Sequence, residues 1–205
     1  MTFVLCFIFF GAPSVFFLHE IGHLMAARWC GVRVLRLSVG LGPEILGYTD
    51  QNGTRWTLAA LPLGGSLEMI DERDLSAKSA DTFSQKTLSQ RAAVCAAGPL
   101  ASLLFAAFIY GLSVVIFGEV ALPGTGTEKT GVALVGFICA FSFTVALFSL
   151  IPIPPLDGGR LALCSIETLA RKPISQSLEE KIYTLGMATI VVSSIISILL
   201  LAVPG

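Results

Sequence analysis

The sequence has few charged residues and almost no histidine. Only 13% of its 205 residues are charged, and two are histidines. Ordinary soluble domains carry roughly 25% charged residues. The net charge of −1 lacks the basic excess that binds phosphate backbones, so we expect no nucleic-acid partner. The apolar residues instead gather in long runs, which is typical of a membrane protein.

Paired cysteines are also lacking. The chain has five cysteines, an odd number, and no two of them show C-x-x-C spacing. This pattern favours neither a disulfide framework nor a cysteine zinc site. We interpret the cysteines as small apolar residues packed in or near the bilayer.

Four uncharged or nearly uncharged runs are long enough to cross a bilayer, which takes ~20 residues. They cover residues 1–27, 92–117, 132–151 and 182–203. The first run lacks the basic start and the cleavage site of a signal peptide, so we interpret it as a span. The sequence therefore predicts a polytopic α-helical membrane protein with four spans, forming a single membrane-embedded domain over residues 1–205.

The basic residues predict the orientation of these spans. Twelve of the thirteen Lys and Arg residues lie between spans one and two or between spans three and four. Only Lys129 lies between spans two and three. By the positive-inside rule, the two basic loops face the cytoplasm and both termini face outward.

The first basic loop has the alternation of a β-sheet over about residues 32–70. Apolar and polar residues alternate from Leu35 to Leu41 and again from Trp56 to Ala60, which is strand periodicity. Asn52-Gly53 between them is a hairpin turn signal. We expect about four short strands that lean into the membrane interface, between spans one and two.

The sequence from His19 to His23 is an H-E-x-x-H motif inside span one. On a helix, residues four apart share a face, so His19 and His23 can bind one metal ion. Glu20 follows the first histidine and can act as general base on a metal-bound water. Three ionisable residues within a membrane helix are costly unless they have such a role; a polar cluster between helices is the alternative.

A catalytic zinc usually has three protein ligands, and no third histidine is available. Asp157 is favoured, because it follows span three on the side where span one ends. It lies in a Pro- and Gly-rich stretch of irregular backbone, which is tolerated at membrane depth only around protein or a wet cavity. Asp157 is also a good helix N-cap. Weaker third-ligand candidates are Cys95, Cys164, Glu44 and Glu167.

The chain resembles the site-2 protease family of intramembrane zinc metalloproteases, and within it the bacterial regulator of sigma-E protease group. The paired signature is the H-E-x-x-H of span one and the Leu156-Asp157-Gly158 after span three. The further matching segments are Cys30–Val34, Ser38–Gly42, Leu61–Gly65, Met69–Arg73, Gln90–Ala93 and Ala97–Pro99.

The resemblance implies cleavage of single-span membrane proteins or remnant signal peptides within the bilayer of the bacterial cytoplasmic membrane, at a site towards the cytoplasm. It implies one zinc ion per chain, held by His19, His23 and Asp157, with Glu20 as base. The sheet would hold unwound substrate. The candidate substrate-binding residues are Gly40, Gly42, Ser149, Pro152 and Pro154.

The chain departs from the group at three places. The connection of about residues 118–131 is too short for the PDZ domains that the group carries between spans two and three. Ser149 and Ser102 stand where the family often has asparagine. These departures motivate an alternative, a zinc-binding pseudoprotease that binds single-span partners. A metal transporter is disfavoured, because spans two and four have no charged residues in their cores.

Overall fold

The computed structural model describes residues 5–70, 82–118, 130–170, 174, 177–178, 181–189 and 192, without the side chains of residues 62, 63, 130 and 131. Two compact units divide the chain, Met1–Phe148 and Ser149–Gly205. In the first unit a π-helical turn, Phe7–Gly11, leads into helix α1, Ala12–Trp29. Strands β1, Val34–Thr49, and β2, Arg55–Met69, follow. Helix α2 is Leu88–Phe117, and helix α3 is Thr130–Ser149.

Three of the described helices are long and apolar enough to cross a membrane: Phe7–Trp29, Leu88–Phe117 and Val132–Ser149. They correspond to the first three predicted spans, although α2 begins four residues earlier than predicted and α3 ends two residues earlier. Residues 182–189 of the fourth predicted span are helical. Its remaining residues, apart from Val192, lie outside the described part of the chain.

The sheet has two long strands rather than the four short ones expected. The two strands pair antiparallel, with repeated register shifts. Arg36 faces both Glu68 and Arg55, and Leu37 faces both Leu67 and Trp56. The first half of β1 therefore lies between the two halves of β2. Each strand supplies two segments because it bends at its glycines, where Gly40 and Gly64 have φ of 93° and 85°.

The hairpin turn between the strands is confirmed at Asn52-Gly53, where Gly53 has a φ of 78°. Asp50 organises this turn by accepting the backbone N–H groups of Asn52 and Thr54 at 2.9 and 3.0 Å. Its other oxygen accepts bonds from Arg28 at 2.5 Å and from the Trp56 indole at 3.0 Å. Hydrogen bonds from Trp56 and then Arg28 hold the pKa of Asp50 well below its ordinary value of 3.8. The turn is thus tied to the last residues of α1.

Helix α2 starts at a capping box, in which Thr87 and Gln90 exchange side-chain and backbone hydrogen bonds. Such a box satisfies amide groups that a helix start leaves without partners. A buried apolar core joins the end of α1, the start of β1 and the first turns of α2. Its members are Leu24, Ala27, Val32, Val34, Leu37 and Val94. The sheet is therefore fixed against the two helices that carry the candidate site.

Small residues let α1 and α2 approach closely. A Cβ added at Gly22 would lie 2.5 Å from the carbonyl oxygen of Ala97 and 2.6 Å from the Ala101 Cβ. No larger residue fits there without moving a helix. Small residues at such crossings are the usual means of packing helices in a bilayer, where apolar burial alone gives little drive.

The second unit contains helix α4, Asp157–Ala170. The Arg160 guanidinium lies 5.7 Å from the ring centroid of Tyr183, which connects α4 to the helical residues 181–189. Glu167 of α4 is 7% exposed, and its carboxylate accepts the N–H of Ile174 at 3.1 Å. Glu167 therefore has a local structural partner within its own unit.

Candidate metal centre

His19 and His23 lie one turn apart on α1, as the motif predicts. Their side chains are buried, with 8% and 7% exposure. The two Nε2 atoms are 3.3 Å apart. Two nitrogens that bind one tetrahedral zinc at 2.0–2.1 Å each lie about 3.3 Å from each other. The spacing of the imidazoles therefore fits two ligands of a single zinc ion.

The opposite ring nitrogens are held by α2. The Nδ1–H of His23 donates to the backbone carbonyl of Val94 at 2.7 Å. A carbonyl oxygen only accepts, so this bond places the proton on Nδ1 and leaves the Nε2 lone pair for a metal. Nδ1 of His19 lies 3.0 Å from the Ser102 hydroxyl. Partners of this kind orient metal-binding histidines in proteins generally.

Gly98 makes room for the second imidazole. A Cβ added at Gly98 would overlap the His23 ring at Nε2, and would lie 2.5 Å from Cδ2 and 2.6 Å from Cε1. Gly98 lies between Val94 and Ser102 on α2, one turn from each, so all three face α1 together. The histidines thus pack on a strip of α2 whose middle residue has no side chain.

Glu20 lies against the sheet. A Cβ added at Gly65 of β2 would be 2.8 Å from Glu20 Cγ and 3.1 Å from its Oε1. The carboxylate therefore adjoins the second half of β2, close to the histidines that flank it in sequence.

The predicted residues of the sheet have different surroundings. A Cβ at Gly40 would overlap the carbonyl oxygen of Leu61, so this glycine permits a close approach within the sheet itself. At Gly42 an added Cβ would meet only the Ala60 Cβ, at 4.0 Å. A role of Gly40 and Gly42 in substrate binding stays a prediction.

Glu44, a weaker candidate for the third ligand, is engaged by arginines. Its carboxylate accepts two bonds from Arg55 and lies 3.6 Å from Arg36. The hydrogen bond from Arg55 is the main cause that lowers the pKa of Glu44. Because both oxygens of the Glu44 carboxylate face arginines of the sheet, Glu44 is disfavoured as the third metal ligand.

The remaining predicted residues belong to the second unit, whose first residue is Ser149. Ser149 ends α3 and is 7% exposed. Pro152 and Pro154 follow in the irregular segment before α4, and Asp157 is the first residue of that helix. A Cβ added at Gly158 would meet the backbone of Leu150, and one at Gly159 would meet that of Pro154. The two glycines after Asp157 therefore allow the helix to start tightly against the preceding segment.

An apolar groove lies between α1 and the sheet. Its volume is about 500 Å³. Pro13 and Phe17 of α1 line one wall, and the Phe17 ring lies 6.4 Å from that of Trp56. The other wall consists of side chains from both strands, including Leu37, Val39, Leu46, Tyr48 and Leu58. Most of the side chains that line the groove are apolar.

Sequence reasoning missed several residues that shape the site. Gly65 stands next to Glu20, and its Gly-Gly dipeptide in an apolar strand was a signal for close approach. Gly98 could have been read in the same way from its place in an apolar helix. The Val94 carbonyl gives no sequence signal, because a backbone acceptor has no side-chain signature. The sequence alone marks Ser102 only as a departure from the asparagine that the family often has.

Comparison of the sequence with known proteins gives one family and several relatives. The sequence model of peptidase family M50 matches residues 6–193. The regulator of sigma-E protease RseP of Escherichia coli is 44% identical over 121 residues, which cover 54% of this chain and 27% of that protein. RseP of Salmonella typhimurium is 46% identical over 101 residues, covering 48% and 22%. An Agrobacterium fabrum protein provisionally named a zinc metalloprotease is 40% identical over 116 residues, covering 50% and 31%. The chain spans less than a third of the length of each.

Proposed function

The chain belongs to peptidase family M50, and we propose from this that it is a zinc metalloendopeptidase acting within the bacterial cytoplasmic membrane. Its substrates are the transmembrane segments of single-span membrane proteins or remnant signal peptides. The observation that carries the proposal is the pair of buried imidazoles with Nε2 atoms 3.3 Å apart, on a helix long enough to span a membrane.

The proposed ligand set is His19, His23 and Asp157, with one zinc per chain. The buried histidine pair supports two of these ligands, and the Leu156-Asp157-Gly158 part of the family signature supports the third. Two imidazoles and one carboxylate are a known donor set for catalytic zinc, which leaves a fourth position for water or substrate. When bound, the zinc polarises the scissile carbonyl and lowers the pKa of a water molecule.

Glu20 is the proposed general base. It takes a proton from the attacking water and gives that proton to the leaving amine when the peptide C–N bond breaks. The position of its carboxylate beside Gly65 supports this role, because a peptide bond running along β2 would pass close to it.

The sheet is the proposed holder of the extended substrate. A transmembrane helix must unwind before a peptide bond can reach a metal, and an extended peptide can add to a sheet edge through main-chain hydrogen bonds. The half of β2 next to Glu20 pairs with β1 on one side. In the described part of the chain no strand pairs with its other side, which supports this half as the edge to which substrate adds.

The test is cleavage of a co-expressed single-span substrate by the Glu20→Gln variant. We expect cleavage to fall by about 10²–10⁴-fold, the usual contribution of a positioned base, while zinc remains bound. Glu68→Gln is a matched control, because Glu68 is an exposed glutamate of the same strand as Gly65. Undiminished cleavage by Glu20→Gln would refute the assignment. Zinc binding without turnover of any substrate by the parent protein would favour a non-catalytic function.

A further inference from the structure

Ser102 occupies a fully buried position beside His19. Its side chain is 0% exposed, and its Oγ lies 3.0 Å from His19 Nδ1. The two histidines thus have different partners, a hydroxyl for His19 and the Val94 carbonyl for His23. The difference matters because a carbonyl only accepts hydrogen bonds, whereas a hydroxyl both donates and accepts.

A second buried serine holds Ser102 from the third helix. Ser142 of α3 is 0% exposed and donates to the backbone carbonyl of Ser102 at 2.8 Å. This bond joins α3 to the residue of α2 that contacts His19. Removing the partner of a buried hydrogen-bonding group destabilises the folded state. The bond from Ser142 therefore favours a single position of Ser102.

The close packing of α1 and α2 explains how a short side chain reaches the ring. Gly22 precedes His23 in α1 and lies almost one turn after His19, and a Cβ added there would overlap Ala97 and Ala101 of α2. A serine hydroxyl extends less far than an asparagine amide. The approach at Gly22 brings the helices near enough for the shorter residue to make the hydrogen bond.

We propose that Ser102 is a positioning residue for metal binding, whose hydroxyl oxygen accepts the Nδ1–H of His19 and so turns the Nε2 lone pair towards the metal. The inference rests on the proposed ligand role of His19. A neutral imidazole carries one N–H, so a proton on Nδ1 leaves Nε2 free to bind. The hydroxyl orients the ring without fixing the tautomer, and metal binding at Nε2 selects the Nδ1–H form.

The experiment compares Ser102→Ala and Ser102→Thr in the full chain, purified in detergent. Zinc affinity is measured by competition with a chelator, and the ligand geometry is followed in the visible absorption spectrum of the Co²⁺-substituted protein. We expect Ser102→Ala to bind zinc about 10–100-fold more weakly, as for other residues behind metal ligands, with an altered Co²⁺ spectrum. Ser102→Thr keeps the hydroxyl and should restore most of the affinity and the parent spectrum.

Ser113→Ala is the matched control. Ser113 is a buried serine of the same helix, 2% exposed, and its hydroxyl donates to the carbonyl of Tyr110 rather than to a histidine. We expect this variant to bind zinc like the parent. Equal losses in Ser102→Ala and Ser113→Ala would overturn the inference, since they would report helix packing alone.

A His19→Ala variant separates the inference from the proposed function. If His19→Ala loses zinc while Ser102→Ala keeps the parent affinity and Co²⁺ spectrum, the metal site stands and the role of Ser102 is refuted. A folded Ser102→Thr that binds no better than Ser102→Ala also refutes it. If His19→Ala keeps zinc with parent affinity, the proposed ligand set itself is wrong.

Discussion

Single residues decide the geometry of the histidine pair. Each imidazole is fixed on its Nδ1 side by a group of α2, and the space for the His23 ring exists because residue 98 has no side chain. An arrangement within about 0.5 Å of productive geometry is what a working metal site requires. The proposed metal site therefore depends on residues that are not among its proposed ligands.

We predict that Gly98→Ala weakens zinc binding. The added methyl group would overlap the His23 ring, so the ring must rotate or the helices must separate. The two Nε2 atoms would then no longer point to one metal position. Zinc affinity of the purified variant, measured by competition with a chelator, tests this. Gly111→Ala is the control on the same helix, since a Cβ there meets nothing within 4 Å. Helix propensity alone would make that control more stable by up to about 1 kcal/mol. Parent-like affinity in Gly98→Ala would contradict the prediction.

At the scale of elements, the sheet is anchored to the helices at two places. The buried core around Leu37 and Val94 joins β1 to α2. The Asp50 carboxylate joins the hairpin turn to Arg28 at the end of α1. Glu44, by contrast, pairs with Arg36 and Arg55 of the sheet. Asp50 thus connects the sheet to α1, whereas Glu44 connects residues within the sheet.

We predict that Asp50→Asn loosens the sheet from α1 without removing the metal site. Hydrogen–deuterium exchange should rise in residues 48–57, because the substituted amide cannot accept the bonds from Arg28 and Trp56 as a carboxylate does. Zinc binding should be retained. Glu44→Gln is the control, and it should leave exchange near Arg28 unchanged. Equal protection of the turn in Asp50→Asn and the parent would show that the tie is unimportant.

The same carboxylate gives a pH dependence. The folded-state pKa of Asp50 is lowered, so the stability that it contributes is complete above its ordinary pKa of 3.8 and is lost as the pH falls through the lower folded value. Protection of the turn should therefore be constant from neutral pH down to 3.8 and decline only in stronger acid. In Asp50→Asn that decline should be reduced. Loss of protection near neutral pH would mean that another group titrates.

The elements also show where sequence reasoning reached its limit. The period-two pattern and Asn52-Gly53 predicted a sheet and its turn correctly. They did not predict that each strand bends and supplies two segments, because φ above zero at Gly40 and Gly64 becomes evident only from the path of the backbone. Alternation identifies the faces of a strand but contains no information on which segments become neighbours.

For the whole molecule, the sequence predicted the spans better than their contacts. The bilayer sets the length of an apolar span and the side on which basic loops lie, and both can be counted along the sequence. The third ligand and the Nδ1 partners depend on how separate helices meet. The motif therefore predicted His19, Glu20 and His23, whereas Gly65, Gly98 and the Val94 carbonyl required the structure.

The orientation across the membrane is a prediction that labelling can test. A cysteine introduced at Asn52, an exposed residue of the hairpin turn, in a variant without native cysteines should react with a membrane-impermeant maleimide only after the cells are permeabilised. Lys129 lies in the connection between spans two and three, which is expected to face outward because the two basic loops face the cytoplasm. A cysteine at this position should therefore react in intact cells. Labelling of position 52 in intact cells would reverse the proposed orientation.

The strip of α2 formed by Val94, Gly98 and Ser102 has a consequence for how the gene can vary. Each inserted residue turns the rest of a helix by about 100° and moves it by about 1.5 Å. An insertion or deletion between positions 94 and 102 would leave the His23 partner in place and carry the His19 partner to another face. Across this stretch, the number of residues is therefore under stronger constraint than the identity of most of them.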